Sequence, residues 1–416
     1  PVHQPSTFHR DTAMATQLQL CYGKAPLYLR LGAIFGLVSL AAFGPGRWGI
    51  IGKGLVLTVL LRRWLRCVFR WPSRNLRFGN RALEPTVEGL HQRFVELYLP
   101  DAEKGGAEYA VLGAQKSLQL SEQRLAFWDV GPTDAEDAVL VCNGLGARVM
   151  TWAPLLTALQ NSSPTWAKRR LIIFDYRGQF DSMPLQGEIS VERSAEDASK
   201  LADHLKVKRC TLLCWSTGVQ VGLQLALDRP DLVKAMVLIQ GTTGEAMKAL
   251  LQPICQVPGV PSLLDLGLRL APRLLQKRRQ TMHGVLCRHS NAFERLASCL
   301  LWFFGSDLIA AAGVRYTQDM LQSEDHFLNY CRYALALGRH KIFSRLPEIK
   351  VPALVVTGTP DFITPARCSY DMAIQLGGPC NLVDDFGGSH YYIYEEPQKL
   401  ALEMAQFLER CAPVKA

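Results

Sequence analysis

Twelve cysteines are spread along this 416-residue chain, yet no two form a C-x-x-C pair. That absence removes the spacing used by zinc ribbons and by thioredoxin-type redox sites, and no metal or cofactor is implied. No glycine-rich phosphate loop, internal repeat or low-complexity tract occurs either, so nucleotide-binding and solenoid architectures find no support. Cys142, Cys210 and Cys214 fall inside apolar runs, where cysteine behaves as a small hydrophobe. With no disulfide framework in view, the expectation is a reduced, intracellular protein.

Acidic residues are nearly missing from one end. Residues 1–83 hold twelve Lys or Arg against one acid, Asp11, while the remainder carries 34 bases and 36 acids. The net charge of +9 therefore belongs to an N-terminal arm, and a global affinity for nucleic acid is not indicated. Long hydrophobic runs are also lacking: residues 31–46 and 48–61 are apolar but are divided by Gly44-Pro45-Gly46-Arg47, and Lys53 interrupts the second. Each falls short of the roughly 20 residues that a spanning helix needs. Arg62, Arg66 and Arg70 then share one helical face, with Trp64, Leu65 and Val68 largely on the other. This pattern suits a helix lying in a membrane interface, so residues 31–72 are expected to associate with a membrane. A targeting peptide and a buried core helix are the competing readings.

What is present beyond the arm is a series of short, β-rich apolar runs. They cover residues 137–144, 170–177, 209–216, 235–241, 352–358 and 381–387, mostly separated by stretches of helical period such as 197–205 and 397–408. Runs without polar alternation indicate strands buried on both faces. The expected fold class is α/β, a mostly parallel, doubly wound sheet. In such sheets, sites lie beyond the carboxyl ends of the strands. Those ends carry Asn143-Gly144-Leu145, Ser216, Asp361 and His390. Between 242 and 350 lies an insertion rich in Leu, Phe and Ala, with helical runs at 263–275 and 296–312.

The run Leu212-Leu213-Cys214-Trp215-Ser216-Thr217-Gly218 is the most informative segment. A serine at a strand-to-helix corner is held in a tight turn that lifts its hydroxyl clear of the sheet, beside the helix N-terminal N–H groups. Small residues are needed two before and two after; Gly218 complies, and Cys214 stands where G-x-S-x-G has glycine.

Four features in order resemble the α/β-hydrolase family over residues 110–412. Asn143-Gly144-Leu145-Gly146 with Trp152 is similar to its oxyanion-loop segment, which usually begins His-Gly. Asp175-Tyr176-Arg177-Gly178 with Ser182 resembles D-x-R-G-x-G-x-S, Phe180 replacing a glycine. Cys214–Gly218 matches the nucleophile elbow, and Gly358 through Asp361 to Pro365, then Gly388-Ser389-His390, match the acid and histidine loops. The order Ser, Asp, His is the one this family uses.

The resemblance implies a hydrolase core over 110–241 and 351–412, with 242–350 as a helical cap. It implies Ser216 as nucleophile, His390 as the base that takes its proton and returns it to the leaving group, and Asp361 as the group that orients the imidazole. The backbone N–H groups of Leu145 and Thr217 would stabilise the developing oxyanion. Asp384 and Asp385 are alternative acids, but they lie too near His390 along one strand. Asp175 and Arg177 are expected to do structural work in their loops.

The function expected is hydrolysis of an ester, thioester or amide carbonyl, on a small-molecule or lipid-like acyl substrate, through an acyl-enzyme. Acyl transfer by the same residues is an alternative, as is a non-catalytic, membrane-tethered binding protein of the same fold. No histidine begins an H-x-x-x-x-D motif, so the glycerolipid acyltransferase type is not supported.

Overall fold

The computed structural model describes residues 114–411, apart from 136, 163–165, 167–168, 250–258, 261, 264, 268, 271–319, 321–322, 360, 362 and 386–387. The N-terminal arm, with residues 31–72, lies outside the described residues, as does the insertion helix read at 296–312. Among the described residues no helix is long and apolar enough to cross a membrane.

Eight strands form one sheet: β1 (Lys116–Gln119), β2 (Arg124–Val130), β3 (Asp137–Cys142), β4 (Arg170–Phe174), β5 (Arg209–Trp215), β6 (Val233–Ile239), β7 (Ala353–Gly358) and β8 (Cys380–Asp385). Their spatial order is β1-β2-β4-β3-β5-β6-β7-β8. All six strands expected from the apolar runs are present, and from β4 through β3 to β8 every pairing is parallel. β1 and β2 are additional and antiparallel. The mostly parallel α/β architecture thus holds, with an antiparallel edge.

Parallel strands need crossovers, and the helices supply two covering layers. In chain order these are α1 (Ala153–Ser162), α2 (Val191–His204), α3 (Thr217–Asp228), α4 (Glu324–Arg339), α5 (Ala366–Gln375) and α6 (Pro397–Arg410). α1 and α6 bury Leu155, Leu159, Leu400, Met404 and Phe407 against one face of the sheet, with Val139, Val141, Leu213 and Trp215. On the other face, α2, α3, α4 and α5 pack against Leu140, Cys142, Leu212 and Cys214. Alternate residues of β3 and β5 therefore feed opposite cores, as the period of two along a strand requires.

Within the insertion, α4 is tied to the core by one face. His326 accepts the N–H of Phe180 at its Nε2 (2.9 Å), Asn329 Nδ2 donates to Gly178 O (2.8 Å), and the Tyr333 ring stacks on Tyr176. These positions recur every three or four residues, so they share a face of the helix.

Candidate active site

The register of the central strands brings the site together. Cys142 is paired with Cys214, so β3 and β5 end side by side. The chain leaving β3 (Asn143-Gly144-Leu145) then flanks the corner at which β5 turns into α3. Contact there is close: a Cβ on Gly218 would stand 1.9 Å from Cys142 O, so any larger residue would force the elbow off the sheet.

Ser216 sits at that corner with φ 55° and ψ −114°. A non-glycine residue in this region is strained, and the strain is held by the buried strand before it and the helix after it. Ser216 Oγ lies 3.0 Å from His390 Nε2, and His390 Nδ1 lies 2.9 Å from Asp361 Oδ2. The three residues expected from the sequence are thus joined in one hydrogen-bonded chain. Asp361 is only an acceptor when ionised, so Nδ1 carries the ring proton and Nε2 turns its lone pair toward Ser216.

Asp361 is fixed on both oxygens. Its Oδ1 accepts the backbone N–H groups of Ile363 (2.9 Å) and Thr364 (2.8 Å), as expected of a turn-capping aspartate. Its Oδ2 faces His390 and the Thr364 hydroxyl, at 2.8 Å. Thr364 Oγ1 also lies 2.8 Å from Gln240 O and 3.1 Å from His390 Nδ1. The alternative acids are engaged elsewhere: Asp384 accepts from Tyr370, and Asp385 from Tyr392 and Lys399.

His390 is held through its own backbone. Trp215 Nε1 donates to His390 O (3.0 Å), the Gln240 side-chain amide donates to Ser389 O, and Glu395 Oε2 accepts the Ser389 N–H (2.7 Å). Burial pushes the Glu395 carboxyl up to about 7, opposed by its hydrogen bonds from Ser389.

Leu145 follows β3, and Thr217 is the first residue of α3. Asn143, which occupies the usual histidine position, locks the loop. Its Nδ2 donates to Phe174 O (2.8 Å), its Oδ1 accepts from Trp152 Nε1 (2.6 Å), and its carbonyl accepts from Tyr176 OH (3.0 Å). Arg177 makes two 2.7 Å bonds to Asp197 on α2, and Asp175 accepts from Asp181 N at 3.2 Å, so both do structural work. Phe180 takes φ 41°, a backbone that suits the glycine it replaces, and its ring lies under the Arg148 guanidinium.

Thr364, Gln240, Trp215 and Glu395 are not among the residues that the sequence singles out. The Asp361-x-x-Thr364 spacing is a turn signal that could have marked Thr364. Gln240 and Trp215 act across the fold and carry no local signal, and Glu395 reaches Ser389 from six residues on.

Among the described residues no group of His, Cys, Asp or Glu is arranged to hold a metal. Residues 137–397 match a family model described as the α/β hydrolase fold. The chain is similar to RutD proteins named as carbamate hydrolases. That of Stutzerimonas stutzeri is 25% identical over 68% of this chain and 96% of that protein. That of Caulobacter vibrioides is 31% identical over 67% of this chain and 93% of its own length. Among solved structures, a thermophilic esterase from Thermogutta terrifontis superposes with a TM-score of 0.52 at 18% identity, covering 72% of this chain and 99% of the esterase. Strand order, elbow and sequence similarity agree: the chain belongs to the α/β-hydrolase fold family.

Proposed function

We propose that the protein is a serine hydrolase that cleaves an ester, thioester, amide or carbamate carbonyl through an acyl-enzyme. The observation that carries this reading is the hydrogen-bonded chain from Ser216 Oγ through His390 to Asp361. His390 Nε2 removes the hydroxyl proton as Ser216 Oγ attacks the carbonyl carbon. The oxygen that gains the electron pair is stabilised by the Leu145 and Thr217 N–H groups, which need no reorganisation to meet it. As the intermediate collapses, His390 gives its proton to the leaving group. Water then repeats the sequence on the acyl-enzyme and releases the acid. Asp361 keeps the imidazole in one tautomer and balances its charge in both halves.

The acyl portion is lipophilic in this reading, supported by the Leu-, Phe- and Ala-rich insertion at 242–350. Each methylene buried contributes about 0.8 kcal/mol, so an apolar pocket favours longer chains several-fold per carbon until it is full. Specificity constants for acetyl through dodecanoyl esters test this; a maximum at acetyl that falls steadily with length removes the lipophilic assignment. The carbamate chemistry named for the RutD relatives is a second reading, supported by that similarity, and an aryl carbamate in the same panel tests it.

The arm is read as a membrane-associating segment of an intracellular enzyme, supported by the apolar and basic pattern of residues 31–72. Deleting residues 1–83 is expected to yield an active domain that no longer sediments with vesicles. Aggregated, inactive protein would instead mark the arm as part of the core.

A further inference from the structure

The backbone that carries His390 is gripped from two sides. On one side the carbonyls of Ser389 and His390 accept from Gln240, just past β6, and from Trp215, at the end of β5. Both donors are buried and rooted in central strands. On the other side the Ser389 N–H is taken by Glu395, six residues on, at the end of the single helical turn Tyr392–Glu395. The Ser389 hydroxyl accepts the Tyr391 N–H at 3.2 Å, closing the turn between them.

We propose that Glu395 is a positioning residue for the proposed hydrolase reaction: by accepting the Ser389 N–H, its carboxylate sets the loop that presents the His390 ring to Ser216. The inference rests on the serine-hydrolase reading of the same site. Three physical points support it. A hydrogen bond to an ionised acceptor is roughly twice as strong as a neutral one, so this contact governs the loop more firmly than an amide would. A glutamine in this place would satisfy the same N–H without the desolvation that an ionised carboxyl suffers. The charges of two further acids, Glu396, which follows the turn, and Asp361 in the loop after β7, also disfavour its ionisation. A carboxylate is thus kept where its surroundings oppose it, directly behind the catalytic histidine candidate.

The consequence is a second ionisation in the activity profile. Glu395 titrates near neutrality, at about 7, so its protonation weakens the grip on Ser389 in the range where His390 must be unprotonated to act as base. The acid limb of kcat/KM then carries two protonations rather than one.

The test uses the full chain, its labelling rate with a fluorophosphonate probe, and hydrolysis of p-nitrophenyl butyrate, each followed from pH 5 to 9. Glu395→Gln, a neutral acceptor like the protonated carboxyl, is expected to fall about three- to tenfold below the parent at high pH and to converge with it toward low pH, which leaves a shallower acid limb. Glu395→Ala is expected to lose about tenfold or more in kcat at every pH, with KM unchanged and a cooperative thermal transition retained. A Glu395→Gln profile that superimposes on the parent overturns the inference, as does an alanine variant with the parent kcat. Should the alanine variant fail to fold, the glutamine profile decides by itself. A parent that labels at Ser216 while both variants match it contradicts the Glu395 assignment alone. A parent that neither labels nor turns over the ester contradicts the hydrolase reading, and the Glu395 assignment with it.

Discussion

The thiol of Cys214 packs directly onto Gly222 of α3: a Cβ placed on Gly222 would stand 2.3 Å from Cys214 Sγ. Cys214 occupies the small-residue position before Ser216, and the space its sulfur needs is provided by a glycine on the helix that follows. The departure from G-x-S-x-G is therefore matched within the same strand-to-helix unit. Burial raises the Cys214 thiol well above its ordinary range, so it packs as an uncharged group.

This contact makes a double-mutant cycle informative. Gly222→Ala is expected to destabilise the protein by about 1–3 kcal/mol through overpacking. Cys214→Ala should cost about 1 kcal/mol for the lost sulfur. The double variant should recover most of the first loss, giving a coupling above about 0.5 kcal/mol in urea unfolding. Simple additivity of the two single effects would show that the pair is not in contact.

The Thr364 hydroxyl bridges three parts of the site: Asp361 Oδ2, His390 Nδ1 and Gln240 O. Thr364→Val keeps the shape and removes the bridge. A net loss of about 1–1.5 kcal/mol in the transition state corresponds to a fall in kcat of about tenfold, with KM nearly unchanged. Thr364→Ser should restore most of it. Equal rates for the valine and serine variants would assign Thr364 to packing alone.

Glu395 also leaves a mark on stability. Its folded carboxyl is raised from 4.5 to about 7, so between these values the folded state binds more protons than the unfolded one. Stability from this group is therefore present in full below about pH 4.5 and is lost as pH rises through about 7. Chemical denaturation across pH 4.5 to 8 should show Glu395→Gln gaining on the parent toward high pH. A constant difference between the two across that range would contradict a raised Glu395 pKa.

The central sheet was legible in the sequence because strands buried on both faces write continuous apolar runs, as at Val139–Val141 and Leu212–Trp215. β1 (Lys-Ser-Leu-Gln) could not be read this way, since it is an edge strand whose residues are largely exposed. Ser216, Asp361 and His390 were legible because each closes or follows a strand in a family-like order. The parts that hold them were not. Gln240 reaches Ser389 across 149 positions, and Trp215 reaches His390 across 175. Such pairings are set by sheet order, which local spacing does not encode. Glu395 lies close to Ser389 in sequence, but on its pattern alone it reads as an ordinary surface residue of a helical turn.

The proposed hydrolase mechanism depends most directly on the reactivity of Ser216. An activated serine forms a covalent adduct with a fluorophosphonate probe, whereas an unactivated hydroxyl does not. Intact-mass analysis with peptide mapping should find a single adduct on Ser216 in the parent and none in Ser216→Ala. His390→Ala should lose labelling and turnover as fully as Ser216→Ala, and the double variant should be no slower, because groups that act as a unit are not additive. An unlabelled parent, or a Ser216→Ala variant that keeps turnover within about tenfold of it, would contradict the assignment of Ser216 as the nucleophile.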